Sequence, residues 1–191
     1  MEATIQYQDL KTGEEVGIAR SDPRTGRYQI SLPYGIHYGF QAEALGYVSI
    51  GENIDLSKVG KYKEMTKNLY LAPIKVGETV NLKNVFFKVA TAKLLKESMP
   101  ELERVAHLMN ENPTLEIKIK GHTDSLGKPD VLLRLSRERA RAVWNYLVHN
   151  HSIKKSRISW EGYGGSKPIV DNRNPKERYK NRRVEFEIIK Y

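Results

Sequence analysis

The chain has 191 residues, 39% of them hydrophobic and 29% charged, which is enough for one large or two small globular domains. It contains no cysteine, and this excludes disulfides and thiolate metal sites. No apolar run approaches the roughly 18 residues that a membrane-spanning helix needs. Residues 1–80 hold 9 basic and 10 acidic side chains, whereas 81–191 hold 23 and 13. The basic half favours a polyanionic partner: nucleic acid, anionic lipid or an acidic polymer such as cell wall.

The first 75 residues predict short strands separated by turns rich in proline and glycine. Apolar side chains alternate with polar ones in these stretches, and strands are expected at 4–7, 16–20, 28–32, 36–44 and 68–74. A polar connection is expected at 51–67. Several short strands at this spacing are typical of a small β-sandwich, and residues 72–77 are expected to link it to the second half of the chain.

The second half predicts alternating strands and helices. A buried strand is expected at 84–87, followed by a helix that Ser98 caps, with Glu101 three residues on. Its buried stripe is Leu102, Val105, Leu108 and Met109, and Asn112 with Pro113 ends it. The next strand buries Leu115, Ile117 and Ile119 by period-2 alternation, and the next helix buries Ala140, Val143, Trp144, Leu147 and Val148.

Two further strands complete this half. Residues 157–160 predict one, and 183–189 predict a last one that turns Val184, Phe186 and Ile188 inward, with Glu185 and Glu187 towards solvent. The order is β-α-β-α-β-β, a two-layer sandwich of sheet and helices, and an α+β fold overall once the all-β N-terminal part is included.

One acid and one base organise the second half. Asp124 lies in a glycine-flanked turn at 121–127, and Arg139 follows fifteen positions later on the helix. A carboxylate can hold an ammonium group and a guanidinium can grip a carboxylate, so the pair suits a zwitterionic ligand. Leu132 and Leu135 share the helix face of Arg139 and would wall the pocket. The same spacing also suits a plain salt bridge that fixes the loop, and spacing alone leaves both interpretations open.

Four spaced motifs resemble the OmpA-like peptidoglycan-binding domain over roughly residues 81–191. They are Gly-His-Thr-Asp-x-x-Gly at 121–127, Leu-Ser-x-x-Arg-Ala-x-Ala-Val at 135–143, Gly-Tyr-Gly-x-x-x-Pro at 162–168 and Asn-Arg-Arg-Val-Glu-Phe at 181–186. The resemblance implies non-covalent binding of meso-diaminopimelate in the peptide stem of peptidoglycan. It assigns the ammonium to Asp124 in the Thr123-Asp124 pair and the carboxylate to Arg139. Leu135 and the backbone of Val89, Ala90 and Thr91 would shape the pocket.

Two positions depart from the pattern of that family. Leu132 stands where the family usually has asparagine, and Ala90 stands where the first strand usually carries aspartate. Both are expected near the ligand. Each lost polar contact is expected to weaken binding by roughly 0.5–1.5 kcal/mol if neutral and about 1.5–3 kcal/mol if charge-assisted, so affinity or stem-peptide preference is expected to differ.

The N-terminal part resembles a carboxypeptidase regulatory-like module over about 1–75, on weaker motifs: a Gly-x-Tyr-x-Ile-x-Leu-Pro run and a later Ala-Leu-Gly-Tyr. This implies a scaffold or a site for envelope protein partners, without catalysis. Met1-Glu2-Ala3-Thr4 lacks the features of a signal peptide. Because a peptidoglycan binder is exported, the chain is interpreted as a fragment whose missing N-terminal part reaches the outer membrane, on the periplasmic side.

Other functions are weaker interpretations. A hydrolase would need Ser125 or Ser136 beside a base that a third group orients, and no such set is evident. The histidines lack metal-ligand spacing, and no metal or cofactor is expected. Nucleic-acid binding, or another envelope interaction without peptidoglycan, remains the alternative for the basic half. It is disfavoured because the aromatic residues Phe86, Phe87, Trp144, Trp160 and Phe186 are expected to face the core.

Overall fold

The computed structural model describes residues 2–44, 46–49 and 51–191, which form two compact units divided between Ile74 and Lys75. Among these residues, no helix has both the length and the apolar character needed to cross a lipid bilayer.

The N-terminal unit is built from β-strands. Its strands are β1 Thr4–Asp9, β2 Glu15–Arg20, β3 His37–Glu43, β4 Tyr47–Ser49, β5 Glu52–Asp55 and β6 Leu71–Pro73. Four of them form an antiparallel sheet in the order β2-β1-β3-β5, and β4 pairs with β6 in a separate ribbon. The alternating residues Ile5, Tyr38, Phe40 and Ala42 fill the core together with Leu56.

Three predictions in this unit are wrong in detail. Residues 28–32 alternate as expected, with Tyr28, Ile30 and Leu32 packed on the core, but they join no strand ladder. The closing strand is shorter than 68–74, and the polar 51–67 stretch contains β5. Alternation reports which side chains are buried, whereas a ladder also requires a neighbouring backbone in register, which the sequence does not reveal.

The C-terminal unit has the predicted order β-α-β-α-β-β. Its elements are β7 Thr79–Asn81, α1 Met99–Glu111, β8 Glu116–Gly121, α2 Pro129–Asn150, β9 Ile158–Gly162 and β10 Val184–Lys190. The sheet order is β7-β10-β8-β9, in which only β8 and β9 run parallel. The fold class predicted from the sequence is therefore confirmed for this unit.

The two helices pack on one face of this sheet. The predicted inward residues of β8 and β10 are buried, and so are Leu102, Val105 and Met109 of α1 and Ala140, Val143, Leu147 and Val148 of α2. Leu108 and Trp144 are half-buried instead. Periodicity identified this core because each element exposes one face to water and buries the other.

The first strand of the unit is displaced from its predicted position. It lies at Thr79–Asn81, whereas 84–87 forms only an isolated bridge between Phe87 and Leu94. The backbone of Phe86 bonds to a side chain: its N–H donates to Ser98 Oγ (2.8 Å), and that hydroxyl donates to its carbonyl (2.9 Å). Ser98 stands at the start of α1 as predicted but makes no capping bond, since its hydroxyl is engaged by Phe86.

The sheet face opposite the helices carries ion pairs. Lys120 Nζ lies 2.7 Å from Glu187 Oε2, and Lys118 Nζ lies 3.6 Å from Glu161 Oε2. Glu185 and Glu187 were predicted to face solvent. Both are half-buried instead, and each takes part in an ion pair.

The five aromatic residues that were predicted to face the core differ in how deeply they are buried. Phe186 alone of the five is fully buried, and Phe86, Phe87, Trp144 and Trp160 are half-buried. Trp160 lies beneath the guanidinium groups of Arg137 and Arg141, at 5.9 and 6.0 Å from the ring centroid. Period-2 and period-3.6 patterns cannot distinguish a ring in the core from one that closes its edge.

Candidate functional site

Glycines bring the helix α2 against the ends of β8 and β9. A Cβ on Gly121 would lie 2.1 Å from the Ser136 carbonyl oxygen, and one on Gly162 would lie 2.4 Å from the Arg137 nitrogen. Ser136, fully buried, donates through Oγ to the Leu133 carbonyl and accepts from the Gly164 N–H, each at 2.8 Å. The serine of the Leu-Ser motif therefore ties α2 to the turn after β9.

The turn that carries Asp124 is fixed from both sides. The Thr123 N–H donates to the Gly164 carbonyl (2.9 Å), and the Ser125 N–H donates to Asn172 Oδ1 (3.1 Å). Asn172 in turn accepts a bond from the fully buried Asn181. The turn is therefore bonded to two other segments, at Gly164 and at Asn172, and Asn181 holds the second of them in place.

Asp124 is buried and already paired. Its side chain is only 9% exposed; Oδ1 accepts the Leu126 N–H (3.1 Å), and Oδ2 lies 2.8 Å from Arg182 Nη1. The partner is an arginine of the loop before β10, to which the sequence assigned no role. The register explains the proximity: β10 pairs Val184 with Gly121, so the residues just before Val184 lie beside those just after Gly121.

Two contacts hold the Arg139 side chain in place, one with the backbone of Thr91 and one with the ring of Phe87. Its Nε donates to the Thr91 carbonyl (3.0 Å), and its guanidinium carbon lies 5.0 Å from the centre of the Phe87 ring. Burial lowers the pKa of Arg139 from its ordinary value, the charge of Arg182 lowers it further, and Asp124 opposes both. The guanidinium stays a cation at neutral pH, because the ordinary pKa of arginine lies far above neutrality.

Asp124 and Arg139 do not form the direct salt bridge that the spacing also allowed. Within the part of the chain that the structure describes, the ion pair of Asp124 is with Arg182, and the fixed hydrogen bond of Arg139 is with a backbone carbonyl. The two charges nevertheless interact electrostatically, and the negative charge of Asp124 raises the pKa of Arg139.

The remaining predicted residues have different surroundings. Leu132 and Leu135 are half-buried on α2, and Thr123 is buried with its Oγ1 lacking a hydrogen-bond partner among the described residues. Ala90 has a positive φ of 58° in the turn between Phe87 and Leu94, and Val89 is 88% exposed there. Of the 89–91 backbone, the Thr91 carbonyl contacts Arg139.

His122 lies in a charge cluster on the open face of the sheet. Its side chain is 1% exposed, its Nε2 lies 3.2 Å from Glu185 Oε1, and its ring stacks on Tyr163. Arg183 Nε donates to the other oxygen of Glu185 at 2.9 Å. Burial raises the pKa of Glu185, but the contact with His122 and the charge of Arg183 outweigh it and hold that pKa at about 2.

We expect the ionised Glu185 carboxylate to stabilise the folded protein near neutral pH and to lose this effect in acid. Because the pKa of Glu185 falls from 4.5 to about 2 on folding, its contribution is complete above pH 4.5 and is lost as the pH falls towards 2. The shift corresponds to about 3 kcal/mol. We expect urea unfolding at pH 6 to show Glu185→Gln less stable than wild type by this order. At pH 3 the difference should shrink, and a difference that does not change with pH would contradict the assignment.

Sequence reasoning missed Arg182, Asn172 and Asn181. The signal for Arg182 was its place in the Asn-Arg-Arg-Val motif, two residues before a strand that antiparallel pairing could bring beside β8. The asparagines gave no periodic signal, because a buried amide that satisfies loop backbone belongs to no helix or strand. Within the described residues, no group of three histidine or acidic side chains could hold a metal ion.

The sequence of the C-terminal unit is similar to that of known proteins. The sequence model of the OmpA family matches residues 86–182, half of the chain. Outer membrane porin F of Pseudomonas aeruginosa is 34% identical over 114 residues, which are 59% of this chain and 33% of porin F. Peptidoglycan-binding protein ArfA of Mycobacterium bovis is 35% identical over 97 residues, 51% of this chain and 29% of ArfA. The chain thus spans about a third of the length of these curated relatives.

A solved structure shows the same fold. The cell wall anchor of the type VI secretion system (T6SS) from Pseudomonas aeruginosa matches with a TM-score of 0.50 and 25% identity, over 59% of this chain and 80% of that one. The matched family segment contains both Asp124 and Arg139, and it ends at Arg182. The chain therefore belongs to the OmpA family.

Proposed function

We propose that the C-terminal unit binds peptidoglycan non-covalently, through meso-diaminopimelate of the peptide stem. The observation that carries the proposal is the orientation of Arg139. The Thr91 carbonyl accepts from its Nε and the Phe87 ring lies against it, so among the described residues the Nη1 and Nη2 edge remains available to grip a carboxylate with two parallel bonds. A guanidinium fixed in advance loses little further entropy when it binds.

Asp124 supplies the opposite charge. A carboxylate has about four acceptor positions, and Asp124 uses two of them, for Leu126 and Arg182. A ligand ammonium therefore has acceptor positions left without displacing either. The side-chain end of diaminopimelate bears one ammonium and one carboxylate on the same carbon. These two charges are complementary to Asp124 and Arg139.

Neighbouring groups complete the pocket in this proposal. Thr123 is buried beside Asp124, and its hydroxyl lacks a hydrogen-bond partner among the described residues. Leu132 and Leu135 present apolar surface on α2, and the turn with Ala90 and Thr91 closes the other side. With leucine and alanine where the family has asparagine and aspartate, the pocket lacks one amide and one carboxylate and relies more on Asp124 and Arg139.

The biological role in this proposal is anchoring, without catalysis. One site need not be tight, because the wall repeats its epitope and a tethered protein rebinds at high effective concentration. The relatives named as an outer membrane porin, a peptidoglycan-binding protein and a cell wall anchor support an envelope role. We infer a position on the periplasmic side of the outer membrane, with the N-terminal unit, a regulatory-like module, as a scaffold for envelope partners.

The test compares two stem peptides by calorimetry. Lysine and meso-diaminopimelate differ in one carboxylate, the one assigned to Arg139, so a lysine stem should bind at least about thirtyfold more weakly than a diaminopimelate stem. Equal binding of the two would contradict the proposal. Retention on the wall that moderate salt abolishes and free diaminopimelate leaves unchanged would support the polyanion alternative instead.

A further inference from the structure

Arg182 has donors to spare beside the proposed site. Its side chain is 48% exposed, and the contact that fixes it among the described residues is the one from Nη1 to Asp124 Oδ2. Nε and Nη2 lie together on another edge of the guanidinium plane. Because that edge is the one arginine uses for side-on, two-bond recognition of carboxylates, Arg182 can stay paired with Asp124 and still receive an anion.

The charges around the site do not balance. Asp124 contributes one negative charge, whereas Arg139 and Arg182 contribute two positive ones, close enough that Arg182 lowers the pKa of Arg139. A ligand end with one ammonium and one carboxylate leaves this excess in place. A ligand with one ammonium and two carboxylates neutralises it, so the charge count favours an additional carboxylate.

We propose that Arg182 is a second carboxylate grip, which makes the site selective for diaminopimelate at the free end of a stem peptide. This rests on the proposed function. A diaminopimelate residue that ends the stem carries its side-chain ammonium and carboxylate and, in addition, the free α-carboxylate. Further residues convert that α-carboxylate into an amide, which offers Arg182 no charge. The site thereby distinguishes stems by the length to which they have been trimmed.

The test measures the binding of two peptides to the wild type and to Arg182→Gln. One peptide is the stem tripeptide ending in meso-diaminopimelate, and the other is the same tripeptide with the α-carboxylate as a carboxamide. We expect wild type to bind the free acid at least about tenfold more tightly than the amide, as for a charge-assisted bond. Arg182→Gln should bind both with equal affinity, close to that of wild type for the amide.

Matched variants separate the local contact from general charge. Arg173→Gln removes the same charge from an exposed arginine paired with Asp171 and should keep the wild-type preference. Arg182→Lys keeps a cation for Asp124 but lacks the planar edge, so its preference should fall to a few-fold. Thermal unfolding of each variant shows whether loss of the Asp124 pair has altered the fold.

The outcomes are distinct. The proposal is overturned if wild type binds acid and amide alike, if the preference survives in Arg182→Gln, or if that variant binds both peptides more tightly, since Arg182 would then be a competitor for Asp124. In each case binding of the amide still supports the diaminopimelate site. If neither peptide binds to wild type, the proposed function and this inference both fail.

Discussion

Replacing Arg139 by alanine is expected to weaken binding of a diaminopimelate stem peptide about a hundredfold or more. Removing one partner of a desolvated, hydrogen-bonded charge pair costs roughly 2–5 kcal/mol, and Arg139 is half-buried with its fork oriented in advance. The side-chain carboxylate of the ligand would then lose the guanidinium fork assigned to it, and Arg182 is held on the far side of the site by Asp124. Calorimetry with a soluble stem peptide measures the loss, and sedimentation with insoluble peptidoglycan measures its effect on anchoring.

The companion variants sharpen this result. Arg139→Lys keeps the charge but lacks the planar fork, so its affinity should fall between those of wild type and Arg139→Ala. Arg134→Ala removes an arginine of the same helix whose side chain is 72% exposed, and it should bind as wild type does. Wild-type sedimentation of Arg139→Ala would refute the assignment of the site.

Replacing Gly121 by alanine is expected to lower the free energy of unfolding of the C-terminal unit by about 3 kcal/mol or more. The new methyl group would lie 2.1 Å from the Ser136 carbonyl oxygen and 2.9 Å from its carbonyl carbon. These are backbone atoms in the middle of a 22-residue helix, so α2 as a whole must shift away from β8. Overpacking of a close contact typically costs 1–3 kcal/mol, and more where backbone must move.

Tryptophan fluorescence isolates this effect, because Trp144 and Trp160 are the two tryptophans of the chain and both lie in the C-terminal unit. Gly162→Ala, which meets the backbone of Arg137 at 2.4 Å, should behave similarly. Ser159→Ala changes an exposed side chain of the same strand as Gly162 and should stay within about 0.5 kcal/mol of wild type. A wild-type unfolding midpoint for Gly121→Ala would show that α2 does not depend on this close approach.

The core and the order of elements were readable from local pattern. Ile117 and Ile119 in β8, and Ala140, Val143 and Leu147 in α2, repeat with the periods of a strand and a helix, and those periods follow from backbone geometry alone. The pairing of strands depends less on local sequence pattern. The strand expected at 84–87 lies instead at Thr79–Asn81, and the backbone of Phe86 bonds to Ser98 at the start of α1.

The sequence by itself determined the β-α-β-α-β-β order, the buried faces and the two charges that motif and spacing single out, Asp124 and Arg139. Only the tertiary structure decided which charges meet. The partner of Asp124 is Arg182, 58 residues away, and Arg139 is held by a carbonyl 48 residues before it. The physical reason is that periodicity is set by neighbours along the chain, whereas an ion pair is set by strand register and by glycines that let a helix approach.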